Sequence, residues 1–145
     1  MGFVDPPGLQ AGFGVLRDLV ADINIDLLIN FPLGMNIKRQ HRQQLAREEQ
    51  DTDLDAHFDG PTWRQLPGVA KGRRVGPAFL EHYKDLLRAK LGFQYVGDTR
   101  TVKHPAKNSS LYLLILASRH ARGRDFWAKV TDQEPSGQHL LALNW

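Results

Sequence analysis

The chain has 145 residues, enough for one domain with a real core, and it carries no cysteine. Hydrophobic residues make up 41% and charged residues 24%, an ordinary globular balance with a net charge of only +3. Disulfide frameworks and thiolate metal sites are excluded, the longest apolar run is too short to span a bilayer, and Met1-Gly2-Phe3-Val4 runs into an acidic residue and two prolines rather than a secretory signal.

Gly2 to Asp5 is predicted as a short buried strand, stopped by Pro6-Pro7. From Leu9 to Asp22 the pattern is helical: Leu9, Phe13, Leu16, Val20 and Ile23 recur at three- and four-residue spacing and form one apolar stripe. Gly12 and Gly14 oppose this, each costing about 1 kcal/mol against Ala in a helix interior. Asp26 to Phe31 is a second apolar strand, stopped by Pro32. Strand, helix and strand so close together predict a βαβ unit with a parallel pair. Met35 to Gln50 is polar and helix-prone. Asp51 to Gln65 mixes acidic residues with an apolar cluster, Leu54, Phe58 and Trp63. Pro67 to Pro77 is predicted as a loop rich in Gly, Pro and basic residues. An amphipathic helix follows, with Phe79, Leu80, Tyr83, Leu86, Leu87 and Leu91 on one side and Gly92 as its stop.

Phe93 to Val102 is predicted as a strand broken by Gly97-Asp98, and Leu111 to Ser118 as a continuous apolar strand. The turn-rich link from His104 to Ser110 is short, so these two strands should pair antiparallel. Asp125 to Val130 is predicted as a short helix, and Leu140 to Leu143 as one more short strand. The expected fold class is α/β: a parallel βαβ unit, then helices, then an antiparallel strand pair. One domain spans 1–145, with 33–77 as a helical and loop insertion.

This order matches the C-terminal half of a Rossmann-like methyltransferase. More closely, the chain resembles the three-Cys-motif partner protein (TcmP) family. The resembling segments are Phe3-Val4-Asp5-Pro6-Pro7-Gly8-Leu9, Leu27-Leu28-Ile29-Asn30-Phe31-Pro32, and Leu111 to Ser118 with Phe126-Trp127 after it. The resemblance implies a partial Rossmann-like sheet and S-adenosylmethionine (SAM) as the cofactor of the full-length family fold. It also implies a catalytic turn of Asp5, Pro6 and Pro7. In amino-group methyltransferases an Asp-Pro-Pro turn holds the target nitrogen: the carboxylate and a proline carbonyl each accept one amine hydrogen, and proline stiffens the turn. The plainer alternative is that Asp5 ends a strand and caps the next helix.

Two departures bear on activity. The strand and Gly-rich turn that would cradle SAM, and the acidic residue for its ribose, have no counterpart. The chain therefore reads as the second half of a larger enzyme, and SAM is not expected to bind it alone. Gly8 also stands where base methyltransferases usually place a stacking aromatic. The expected function is a methyltransferase-like protein directed at an amino group, with nucleic acid as a candidate partner. The alternative is a non-catalytic interaction or nucleic-acid-binding module. A shortened sheet leaves the Asp5 strand as an open edge, which invites self-association or a partner protein.

Asn30 and Phe31 end the neighbouring strand, and open α/β sheets place ligands beyond the carboxyl ends of their strands. Both are candidate substrate contacts; alternatively Phe31 is core and Asn30 bonds loop backbone. Lys38 and Arg39, with His41 and Arg42, form one basic cluster. Lys71, Arg73 and Arg74 form a second, and Arg119, His120, Arg122 and Arg124 a third. The first two would lie near the carboxyl edge, where phosphate contacts would make binding salt-dependent; the alternative is solvated surface charge. The six histidines show no metal-ligand spacing, and no metal is expected. The absence of cysteine points to a reducing cytoplasm.

Overall fold

The computed structural model describes residues 1–5, 12–32, 37–46, 51–69, 71, 75–103 and 110–132. Four strands form one mixed sheet. Strand β1 (Gly2–Val4) lies parallel to β2 (Leu27–Phe31), joined through helix α1 (Phe13–Ala21). Strand β4 (Ser110–Ser118) runs antiparallel to β2 on one side and to β3 (Tyr95–Lys103) on the other. The spatial order is β1-β2-β4-β3. Two reversals restore direction, so β1, β2 and β3 point the same way and β4 alone points back.

Both expected pairings are present, with shifted ends. The helix expected over Leu9 to Asp22 is described from Phe13 to Ala21. The last helix, α5 (Ala121–Asp132), is longer than its expected core of Asp125 to Val130. Gly97-Asp98 does not break β3. Instead the register slips between the Gly97–Leu116 and Arg100–Leu114 pairs, where three steps on β3 match two on β4. That is a β-bulge, which lets the strand absorb one extra residue and continue.

Alternation along the central strands builds two cores. Leu27, Ile29 and Phe31 of β2 and Leu113, Ile115 and Ala117 of β4 face the larger core. Leu28, Leu114 and Leu116 face the opposite side, where Trp127 of α5 closes a smaller cluster. The larger core is capped by α1 through Phe13, Leu16 and Val20, and by α4 (Val75–Leu91) through Phe79, Tyr83 and Leu87. Leu54, Phe58 and Trp63 join this same core from helix α3 (Asp53–His57), its end and the 3₁₀ turn Pro61–Gln65. The segment 33–77 therefore supplies core residues to the sheet domain. Burying each such side chain contributes about 1.5–3 kcal/mol.

Several expectations need correction. Strand β1 is not buried: Phe3 is 55% exposed and Gly2 and Val4 are half-buried. It is an edge strand with a partner on one side only among the described residues. Ile23 leaves the apolar stripe, because α1 ends at Ala21 and the chain turns outward. Helix α4 starts at Val75, inside the segment expected to be a loop. Pro77 is tolerated there because the first turn of a helix leaves its N–H groups unpaired anyway. Within the polar, helix-prone stretch from Met35 to Gln50, helix α2 is described over Lys38–Leu45, and its inner side carries polar residues: His41 and Gln44 are buried. Leu140 to Leu143 lies outside the described residues.

Gly92 does end α4. Its φ of +71° is open to glycine at no steric cost, and its N–H donates to the Arg88 carbonyl at 3.2 Å. A second glycine is required by packing. A Cβ on Gly123 of α5 would stand 2.3 Å from Ser118 Oγ, 2.7 Å from Asp26 Oδ2 and 2.8 Å from Ser118 Cβ. Ser118 is fully buried, and its hydroxyl bonds the His120 carbonyl at 2.9 Å, so it has little room to give. Gly123→Ala should destabilise the fold by about 1–3 kcal/mol in urea denaturation. An unchanged midpoint would show that α5 does not pack this closely.

Candidate functional site

The parallel register sets Val4 against Ile29, which brings the next residues, Asp5 and Asn30, level at the carboxyl ends of their strands. Alternation turns both to the face opposite the larger core. Asn30 Nδ2 donates to Asp5 Oδ1 at 2.5 Å. Asp5 is exposed and Asn30 half-buried. Asn30 Oδ1 is shut from solvent and has no hydrogen-bond partner among the described residues. An unpaired buried carbonyl oxygen costs about 1–3 kcal/mol.

The other candidate residues do not gather around that pair. Phe31 points to the opposite face, fully buried, 5.1 Å from Tyr83 and 5.7 Å from His57 between ring centroids. It is a core residue there, not a wall beside Asn30. Lys38 and Arg39 open α2, seven and eight residues after the end of β2, and their side chains lie outside the described residues. Lys71 is exposed in a turn after the 3₁₀ segment. Pro6, Pro7, Arg73 and Arg74 lie outside the described residues. Two basic clusters also lose members to structural duties. His41 is in the core, 6.2 Å from the Phe79 ring. Arg119 donates to the Leu91 carbonyl at 3.1 Å and the Ile23 carbonyl at 3.3 Å, with its guanidinium 5.0 Å from the Phe93 ring. It clasps three elements together.

Sequence reasoning missed a second polar centre, built on Asp55. Thr52 caps α3, and its N–H and hydroxyl both donate to Asp55 Oδ2, at 3.0 and 2.8 Å. Trp63 Nε1 donates to Asp55 Oδ1 at 2.7 Å, and Arg64 donates to Oδ2 at 2.9 Å. The Arg64 guanidinium also lies 4.6 Å from the Trp63 ring and donates to the Gln44 carbonyl at 2.8 Å. Gln44 Oε1 in turn accepts the Leu54 N–H at 2.9 Å. One carboxylate thus ties α2, α3 and the 3₁₀ turn. Burial alone would raise the Asp55 carboxyl; the bonds from Arg64, Thr52 and Trp63 outweigh it and hold the pKa at about 2. The Thr52-x-x-Asp55 spacing of a capping box was the available signal.

A cleft of about 490 Å³ lies between the start of α1 and the α3 segment, lined by Gly12, Gly14, Asp51, Asp55, Asp59 and Gly60 among others. Asp59 pairs with Arg17 of α1, and Lys90 of α4 stands 4.0 Å away. A smaller hollow of about 220 Å³ sits at the start of β3, with Arg124 held 5.3 Å from the Tyr95 ring. In the core, burial pushes the Tyr83 hydroxyl well above its usual range, so it stays neutral beside His57. Burial lowers the His82 pKa, partly offset by Asp85. Among the described residues no three His, Asp or Glu side chains are placed to hold a metal ion, and no helix is long and apolar enough to cross a membrane.

Comparison with protein-family models, with curated proteins and with solved structures gave no match.

Because the folded pKa of Asp55 lies below its ordinary value of 3.8, its stabilising effect is complete above that value and disappears as pH falls through about 2. The shift corresponds to about 2 kcal/mol. Asp55→Asn should lower stability at neutral pH by about 2–4 kcal/mol and flatten its dependence on pH in that acid window. Urea titrations at several pH values would check this; parallel acid profiles for the two proteins would contradict it.

Proposed function

We propose that this chain is a methyltransferase-like α/β unit whose carboxyl edge holds an amino group on an sp² carbon, of the kind found on nucleic-acid bases. The observation that carries the reading is the Asp5–Asn30 bond. Asn30 Nδ2 is itself an –NH₂ group on an sp² carbon, and Asp5 accepts one of its hydrogens. A substrate amine would present the same chemistry to the same carboxylate. An –NH₂ group has two hydrogens and needs two acceptors. Rotating the Asn30 amide by half a turn would exchange its nitrogen for the unpaired Oδ1 and supply the second acceptor beside Asp5.

The sheet order supports the same reading. Two parallel strands deliver their ends to one rim, and the antiparallel pair is placed beyond β2, leaving the rim at Asp5 uncovered by any described strand. In a Rossmann-like methyltransferase this would be the substrate side. The two glycines of Gly12-x-Gly14 are placed at the start of α1. Gly12 is extended and serves as the N-cap of α1, with the Ala56 carbonyl oxygen 3.3 Å from where its Cβ would be, and Gly14 lies within the helix. Two of the carboxylates near these glycines are engaged, Asp55 by the capping network and Asp59 by Arg17. What the chain contributes on this reading is recognition and orientation of the nucleophile. Exposed Arg42 and Lys71 would add the salt-dependent attraction of a polyanionic substrate.

Titration of ¹⁵N-labelled protein with cytidine, using amine-free uridine as the control, tests this. Cytidine should shift the Asn30 side-chain amide signals with weak affinity, and Asp5→Ala should remove the response. Equal responses to both nucleosides, or none at about 10 mM, would contradict it.

A further inference from the structure

The hollow of about 220 Å³ at the start of β3 has no part in the amine reading and does not depend on it. Strands β1, β2 and β3 point the same way, so the hollow lies at the amino end of β3, while Asp5 and Asn30 stand at the carboxyl ends of β1 and β2.

Gly97 is the residue there that packing and backbone geometry leave unexplained. It lies inside β3, where glycine weakens a strand by offering no side chain to its neighbours. Its φ is not positive, so its conformation is open to other residues. A Cβ there would meet no atom within 4 Å, so no neighbour demands the space. The β-bulge beyond it does not demand glycine either, since the bulge that does so holds the glycine in the left-handed region. What a glycine still does at such a position is let another molecule reach the strand backbone closely.

The surroundings say which kind of molecule. Tyr95, two residues earlier, and Leu116, directly opposite, share the face of Gly97 and line the hollow with Val96. Two guanidinium groups complete the lining, Arg88 from α4 and Arg124 from α5. Arg124 is held 5.3 Å from the Tyr95 ring. Arg88 donates to the Val96 carbonyl at 2.8 Å and to Asp85 at 2.9 Å. Those bonds occupy only part of its fork of N–H groups. Asp85 and Asp125, which pair with the two arginines, are exposed and do not line the hollow; such surface pairs hold weakly, and a better-placed anion can replace them.

We propose that this hollow binds a small aromatic carboxylate, with its ring laid on the bare backbone of Gly97 beside Tyr95 and its acid group between Arg88 and Arg124. A flat ring suits a strand backbone next to an aromatic wall, and the planar arginine fork matches a carboxylate. The size agrees. A cavity of about 150 Å³ takes one benzene ring, so this one has room for a ring and an acid group. It falls short of the roughly 300 Å³ or more that larger ligands need.

Titration of the ¹⁵N-labelled full chain with benzoate tests the proposal, with benzyl alcohol as the uncharged ring and inorganic phosphate as the ringless anion. Benzoate should move the Tyr95, Val96 and Gly97 amide signals and saturate with a Kd on the order of 1 mM. Both controls should bind about tenfold more weakly or not at all. Gly97→Val should fold at least as firmly, because valine favours strands and its side chain enters open space, yet it should lose the response to benzoate. Arg124→Gln should weaken benzoate about fivefold or more and leave benzyl alcohol unchanged. No response to benzoate at about 20 mM would overturn the proposal. So would benzoate binding that survives Gly97→Val, or a response to benzyl alcohol or phosphate equal to that for benzoate.

Discussion

The parallel pairing of β1 with β2 is the constraint on which the functional geometry rests. It sets Val4 beside Ile29, and Asp5 therefore beside Asn30. A slip of one residue would turn Asp5 toward the larger core and Val4 toward solvent, because strand side chains alternate with period two. The half-buried Val4, packed against the main cluster, opposes that slip. Only three residues make the strand, so its position depends on a firm β2, and β2 is firm because Leu27, Ile29 and Phe31 are locked between α1, α4 and β4.

That support reaches across the domain. Phe31 meets Tyr83 and His57, and Tyr83 meets Phe13, Phe58 and His57 within about 6 Å of ring separation. The aromatic group joins the strand next to the candidate site to three helices. Behind it, Asp55 organises the polar seam of α2, α3 and the 3₁₀ turn. A fully bonded carboxylate in a buried seam favours one arrangement of neighbouring segments, since any other leaves charged or polar groups unpaired. The edge of the sheet is thus mounted on a rigid base, although β1 itself is thin and half exposed.

Much of this was readable from residue order. Leu27 to Phe31 and Leu111 to Ser118 are apolar enough to announce central strands, and a short link between β3 and β4 permits only an antiparallel pair. Gly92 marked the end of α4. The errors have physical causes. The stripe that ran on to Ile23 assumed the helix continued beyond Ala21. The loop assigned up to Pro77 ignored that proline costs nothing in a first turn. Basic clustering suggested surface charge, but Arg119 clasps carbonyls from β2's approach and from α4, and His41 lies in the core; those partners are many residues away and leave no local pattern. The Asp55 centre draws on Thr52, Gln44, Trp63 and Arg64, of which only the Thr52 cap has a short-range signature. At the site, Asp5 and Asn30 were both candidates, but their bond depends on register, which no motif encodes.

Nuclear Overhauser contacts between Gly2–Asp5 and Leu27–Phe31 test the central claim most directly. A parallel pair in this register predicts cross-peaks linking the Phe3 and Leu28 backbones, and a contact from the Asn30 side-chain amide to the Asp5 β-protons. Random-coil shifts for residues 2–5, with no contact to β2, would contradict the account at its foundation.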